Sequence, residues 1–308
     1  GLVTGVLNNR PTVSYDIRSV AAVHQFPQDP KFYPFVEKLA QLYFVDSAVL
    51  CARLRSFTFS EECEPVAEEE TEQYDHAVSL TPAQQAVVEA VCGDMAAGLF
   101  RPTLLQGVTG SGKTEVYKAI MSAAIKAGKA VLFLAPEVGL ARQMQANFTQ
   151  SFGRKIFVAG WHSSVAQGER QAVWQAAVQG APMVLVGVHL PVLLPLTNLG
   201  LIVVDEEHEG GYEEKQHPRI NSKHAALLRA QQYGVPIILG SATPSVSTLY
   251  FADQQRWRHC FLHDRFGGAF PTVEHVILSK EKKRPHFWVS KELLRALEDI
   301  VFRGKQAI

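Results

Sequence analysis

The stretch GVTGSGKT, Gly107 to Thr114, constrains the fold more than any other part of this sequence. It fits the pattern G-x-x-x-x-G-K-[ST], with Gly107, Gly112, Lys113 and Thr114 in the fixed places. An apolar run, TLLQGV, leads into it, and a helical pattern, KTEVYKAI, leads out. That order gives a buried strand, a turn whose backbone N–H groups converge, and a helix N-terminus whose dipole favours phosphate. The cradle alone does not set the chemistry, since kinases, transporters, G proteins and motors all carry one.

The runs that accompany it set the architecture. TLLQGV (Thr103–Val108), AVLFLAP (Ala130–Pro136), MVLVGV (Met183–Val188), LIVVDEEH (Leu201–His208) and PIILGSATP (Pro236–Pro244) are short and rich in leucine or β-branched residues. Strands buried on both faces read this way, and the helical spacers between them imply right-handed βαβ crossovers. The prediction is an α/β chain with a RecA-like parallel sheet. Its first helix is expected at TPAQQAVVEAV, with Thr81 as N-cap and Pro82 at the first helical position.

Two more motifs end strands. In LIVVDEEH, Asp205 falls at the carboxyl end of a buried strand, where open α/β sheets bind ligands. Asp205 suits the Mg²⁺ shell together with the Thr114 hydroxyl, and Glu206 suits the orientation or deprotonation of an attacking water. Lys113 is expected to reach the β- and γ-phosphates, and the loop Gly107, Val108, Thr109, Gly110, Ser111, Gly112, Lys113, Thr114 to enclose them. Two adjacent carboxylates favour hydrolysis over kinase chemistry, which excludes water. The second motif, GSATPS (Gly240–Ser245), places Ser241 and Thr243 where their hydroxyls can bond to the acidic strand end and to His208.

Phosphate loop, D-E-x-H and S-A-T in this order resemble a superfamily 2 helicase of the DExH group. GVTGSGKTEVY, APEVGL, LIVVDEEHEGGY and IILGSATPS together resemble the replication-restart helicases of the PriA family over roughly residues 80–308. The resemblance implies ATP and Mg²⁺ as cofactors, 3′-to-5′ unwinding of DNA at stalled forks, primosome assembly and single-strand-binding proteins as partners; a reduced, cytoplasmic setting is expected from the scattered cysteines. It implies that Gln84 reads adenine, that Pro136, Glu137 and Gly139 contact the DNA strand, and that Tyr212 and Arg219 lie in a DNA-coupling loop. Zinc is implied only beyond Ile308, as is most of a second lobe with its arginine finger. Departures also stand out. Val188, His189 and Leu190 occupy the place of the family's T-R-S, and Pro218 that of its tryptophan. Rival readings are a P-loop kinase or G protein, and a nucleotide- and DNA-binding module without unwinding activity.

Residues 1–58 resemble part of a β-rich N-terminal domain that binds a DNA 3′ end, with a helical pattern from Phe32 to Leu54. Residues 59–77 are an acidic linker, 78–262 the motor lobe, and 263–308 a crossover and the opening of a second lobe. The opening GLVTGVLNN and the closing GKQAI read as strands cut through, so a fragment of a longer protein is expected. With 30 Lys plus Arg against 30 Asp plus Glu, the formal charge is zero, so any nucleic-acid surface is local. Four scattered cysteines form no C-x-x-C pair, which speaks against a zinc module or disulfide framework. There is no run of 18 or more apolar residues, so no membrane role is expected.

Overall fold

The computed structural model describes residues 28–56, 79–153, 156–162, 165–265, 273–278 and 288–306. The chain divides into two compact units, Gly1–Phe266 and Gly267–Ile308. The expected strands at the N-terminus, the acidic linker and the strand at Ala307–Ile308 lie outside the described residues.

Unit one is built on a seven-stranded sheet. The strands are β1 (Pro102–Gly107), β2 (Ala130–Leu134), β3 (Val158–Trp161), β4 (Val184–Gly187), β5 (Leu199–Val204), β6 (Ile237–Ser241) and β7 (Arg258–Leu262). Their order is β3-β4-β2-β5-β6-β1-β7, and every pairing is parallel. The RecA-like parallel sheet expected from the apolar runs is therefore present. All five expected strands form, and the two edge strands β3 and β7 are additions. β7 reads weakly in sequence for a physical reason: this edge strand is covered less fully, so its residues need not be continuously apolar. On β7, Phe261 is exposed and Arg258 pairs with Asp94 at 2.6 Å.

Helices cover both faces, as parallel strands require. The helix α3 (Pro82–Ala96) starts on the expected capping box: Thr81 Oγ1 accepts from Gln84 N–H, and Gln84 Oε1 accepts from Thr81 N–H. Next come α4 (Lys113–Lys126), α5 (Val138–Phe152), α6 (Gln167–Gln179), α7 (Ser222–Tyr233) and α8 (Val246–Asp253). One layer of core joins Tyr117, Phe133, Phe148 and Phe152, with the Phe133 and Phe148 rings edge-on at 5.1 Å.

The N-terminal helical pattern forms two helices, α1 (Phe32–Leu42) and α2 (Ser47–Ala52). Asp46 ends the gap between them by accepting from Ala48 N–H. Phe32, Phe35, Val36 and Leu39 are buried in the same core as β5, β6 and α7. Burying such side chains contributes about 1.5–3 kcal/mol each before the cost of ordering the chain. Arg229 of α7, fully buried, lies over Phe35 at 5.7 Å and donates to the carbonyls of Val192 and Leu194. Residues 28–56 thus share a core with the sheet across the expected division near residue 58.

Unit two contains α9 (Lys291–Phe302), capped by Ser290, whose Oγ accepts from Leu293 N–H at 2.9 Å. Among the described residues no helix is long and apolar enough to cross a membrane.

Candidate nucleotide site

The phosphate loop sits where β1 hands over to α4. Gly110 (φ +81°) and Gly112 (φ +83°) adopt left-handed backbone that other residues rarely take. A Cβ on Gly107 would collide with Ser111 Oγ. Lys113 is buried; its Nζ donates to Gly107 O at 2.8 Å and lies 3.7 Å from Glu206 Oε1. Ser111 Oγ is buried and has no hydrogen-bond partner among the described residues. A glycine-built loop at a 14-residue helix N-terminus, with a buried ammonium and an orphaned hydroxyl turned inward, fits a polyphosphate with its metal. Thr109 and Gly110 are exposed, and Val108 is 37 % exposed, so the loop rim faces solvent.

Asp205 follows directly on β5 and is buried. Tyr117, fully buried on α4, donates its hydroxyl to Asp205 Oδ1 at 2.9 Å. The same hydroxyl lies where a Cβ on residue 240 would be, so only glycine is compatible there. Burial, then the charge of Glu206, push the Asp205 carboxyl up to about 6, against the opposing pull of Tyr117 and Lys113. That displacement corresponds to at most ~3 kcal/mol against the charged form. Well below pH 3.8 the carboxyl is protonated in folded and unfolded chains alike, and the penalty vanishes. It grows as pH rises to about 6 and is full above that. Asp205→Asn is therefore expected to raise the Tm of the nucleotide-free chain by a few degrees at pH 7.5 and by much less at pH 4. Scanning calorimetry at both pH values checks this; an unchanged or lowered Tm at pH 7.5 refutes the buried-charge account.

Glu206 is one of three non-glycine residues with positive φ among those described, at +45°. Such backbone persists only where its surroundings hold it. Tyr212 supplies part of that hold: its buried hydroxyl donates to Leu134 O at 3.0 Å and, more closely, to Asp205 O. Glu206 Oε2 is 3.6 Å from His208 Nδ1, and His208 Nδ1 is hydrogen-bonded to Ser241 Oγ at 2.7 Å. Thr243 joins through its backbone, donating N–H to Ser241 Oγ at 3.0 Å. Of the expected polar links, the one from Ser241 to His208 is present, while Thr243 meets Ser241 through its N–H and not through its hydroxyl.

Other expected residues are placed differently. Gln84 is buried, with its Nε2 donating to Ser111 O at 3.2 Å and its Oε1 occupied by the capping box. Its amide ties α3 to the phosphate loop and does not present a free edge to a base. Tyr212, expected in a DNA-coupling loop, is 1 % exposed and cannot meet a nucleic-acid strand here. Its ring is apolar enough to bury while its hydroxyl finds two carbonyls. Pro136 is buried beneath Gly211, while Glu137, Gly139 and Arg219 are exposed. In place of the expected T-R-S, Val188 is buried and His189 Nδ1 lies 3.2 Å from Ser222 Oγ, with burial holding its imidazole below the usual range. The loop after Tyr212 is held by Arg53, which pairs with Glu214 at 2.8 Å, and by the Tyr43 hydroxyl, which accepts from Asn221 N–H. His259, Phe261 and His263 form a ring stack along β7, and the described residues hold no metal-binding group of three or more His, Cys, Asp or Glu.

Sequence reading missed Tyr117, Glu207 and Lys223. Glu207 stood inside a quoted motif, but nothing in the spacing says that its side chain turns inward while Glu206 faces the loop lysine.

Residues 81–250, more than half of the chain, match the DEAD/DEAH box helicase family. The replication restart protein PriA of Bacillus subtilis (strain 168) is 32 % identical over 231 residues, 74 % of this chain and 28 % of that protein. PriA of Chlamydia pneumoniae is 30 % identical over 277 residues, 89 % of this chain and 35 % of that protein. The chain thus spans about a third of the length of the curated relatives it matches. A solved structure of RecG bound to a three-way DNA junction aligns at a TM-score of 0.48 and 20 % identity, over 79 % of this chain and 31 % of that one. With the phosphate loop, the Asp205–His208 strand end and the Ser241 turn all inside the matched span, the chain belongs to the DEAD/DEAH box helicase family as a PriA-like member.

Proposed function

We propose that this chain is the nucleotide-hydrolysing lobe of an ATP-driven DNA helicase that unwinds 3′-to-5′ at stalled replication forks. The observation that carries this reading is the convergence of three strand ends: Lys113 within 3.7 Å of Glu206, and His208 within 2.7 Å of Ser241. Loop N–H groups and Lys113 bind the phosphates. Thr114 and Asp205 would hold Mg²⁺, which neutralises charge on the phosphate oxygens when bound. Glu206 orients the attacking water and takes its proton on a carboxylate oxygen. His208 and Ser241 connect that carboxylate to the turn after β6, a short path by which γ-phosphate loss can be felt elsewhere. Forked or single-strand-containing DNA, primosome proteins and single-strand-binding protein are the proposed partners, and Glu137, Gly139 and Arg219 are the exposed candidates for the strand contact.

Phosphate release by the purified chain, with and without forked DNA, tests the reading. The chain is expected to release phosphate slowly. Stimulation by the fork is expected to stay below about tenfold, because Tyr212 of the expected coupling loop is buried and cannot report a bound strand to the site. Any DNA binding should weaken steeply with salt. Transfer of phosphate to an acceptor in place of release overturns the hydrolase reading, and tight ATP binding with no release at all supports a module without unwinding activity.

A further inference from the structure

Glu207 is used by none of the steps above, yet its carboxylate accepts four hydrogen bonds from Lys223, Ser245 and Thr248. It is 1 % exposed. Lys223 Nζ donates to Oε2 at 2.8 Å and to the Glu207 carbonyl at 3.0 Å. Ser245 N–H donates to Oε1 at 2.7 Å, and the hydroxyls of Ser245 and Thr248 donate to Oε2 at 3.0 and 2.9 Å. Burial alone would raise this carboxyl's pKa, but Lys223, Ser245 and Thr248 outweigh it and hold it below the usual range. A charge so fully satisfied is a rigid point in the fold.

What it fixes follows from the connectivity. Glu207 N–H donates to Gly240 O at 3.0 Å, and Glu207 Oε1 accepts from Ser245 N–H. One residue therefore grips both ends of the turn Gly240–Ser245. Ser241 lies inside that turn, and its Oγ meets His208. On the other side, Glu206 sits immediately before the gripped residue with its backbone in the left-handed region. Fixed groups on both sides of Glu206 are what such a conformation needs.

We propose that Glu207 is a positioning residue for hydrolysis: by holding the Gly240–Ser245 turn at both ends, it keeps Ser241 on His208 and Glu206 aimed at the water. This rests on the reading of the site as a nucleotide-hydrolysing centre. The role differs from that of Glu206, since the Glu207 carboxylate is 1 % exposed and already held by Lys223, Ser245 and Thr248.

The test compares the 308-residue chain with Glu207→Gln, Glu207→Ala and the milder Thr248→Val, which removes one donor and keeps the charge. Glu207→Gln is expected to bind a fluorescent ATP analogue within about twofold of the parent while single-turnover hydrolysis falls by about tenfold or more, the size expected when a reacting group is displaced by a fraction of an ångström. In a Glu206→Gln background the same change should add less than about twofold, because both act through one carboxylate. A merely structural residue would lower both chains equally. Independently of activity, the His208 ring resonances of histidine-labelled protein should move in Glu207→Ala as they move in Ser241→Ala, and part-way in Thr248→Val. The proposal is overturned if folded Glu207→Gln hydrolyses ATP at the parent rate, or if the His208 resonances stay in place in the Glu207 and Thr248 variants while Ser241→Ala shifts them. Failure of the parent to bind Mg·ATP would sink the nucleotide reading instead, and the His208 resonances would still decide whether Glu207 positions the turn.

Discussion

Lys113→Ala is expected to abolish measurable Mg·ATP binding. The Lys113 ammonium is the buried positive charge of the loop, held on Gly107 O at 2.8 Å and poised over the cradle. A unit-charge pair at about 4 Å and an effective dielectric of ~20 is worth about 4 kcal/mol, which converts to roughly 10³-fold in affinity. A second effect has the same sign. Lys113 lies 3.7 Å from Glu206 and also draws down the Asp205 carboxyl. Without it, two carboxylates face the phosphates uncompensated. Titration of a fluorescent ATP analogue checks this, and binding as tight as in the parent removes the cradle assignment.

Glu206→Gln is expected to do something different: retain Mg·ATP binding and slow turnover by about 10²-fold or more, the loss that follows removal of a positioned base. Glutamine keeps the shape and removes the proton acceptor. It also removes a negative charge from the neighbourhood of the phosphates, so affinity should hold or rise. Asp205→Asn should instead weaken the dependence on metal, since Asp205 is the carboxylate at the floor of the site, bonded to Tyr117 and shut off from bulk water. Phosphate release and nucleotide affinity measured across a magnesium titration separate the two. Equal, mild effects from both substitutions would show that the carboxylates have no distinct roles.

Much of this lobe was legible in the sequence because the signals are local. A strand buried on both faces must be apolar throughout, so the five central strands announce themselves as runs. Thr81 and Pro82 announce α3, since a helix start needs a hydroxyl acceptor and tolerates a proline. The spacing from Gly107 to Thr114 is fixed by what a phosphate demands of backbone. The edge strand β7 carried no such signal, and α1 and α2 read as one helical stretch because the break at Tyr43–Asp46 leaves the apolar spacing intact.

By itself, then, the sequence determined the strands of the parallel sheet, the glycine-built loop after β1 and the two carboxylates beside it, because each is written in residues adjacent in the chain. Only the tertiary structure decided which polar groups look outward. Tyr212 and Gln84 have the chemistry to meet DNA or a base, yet both are buried, because their polar atoms meet partners brought in by other segments: the carbonyls of Leu134 and Asp205 for Tyr212, and Ser111 O for Gln84. Glu207 is the reverse case. Its neighbours Lys223, Ser245 and Thr248 arrive from 16 to 41 residues away, and their meeting on one carboxylate is a product of packing that no local pattern records.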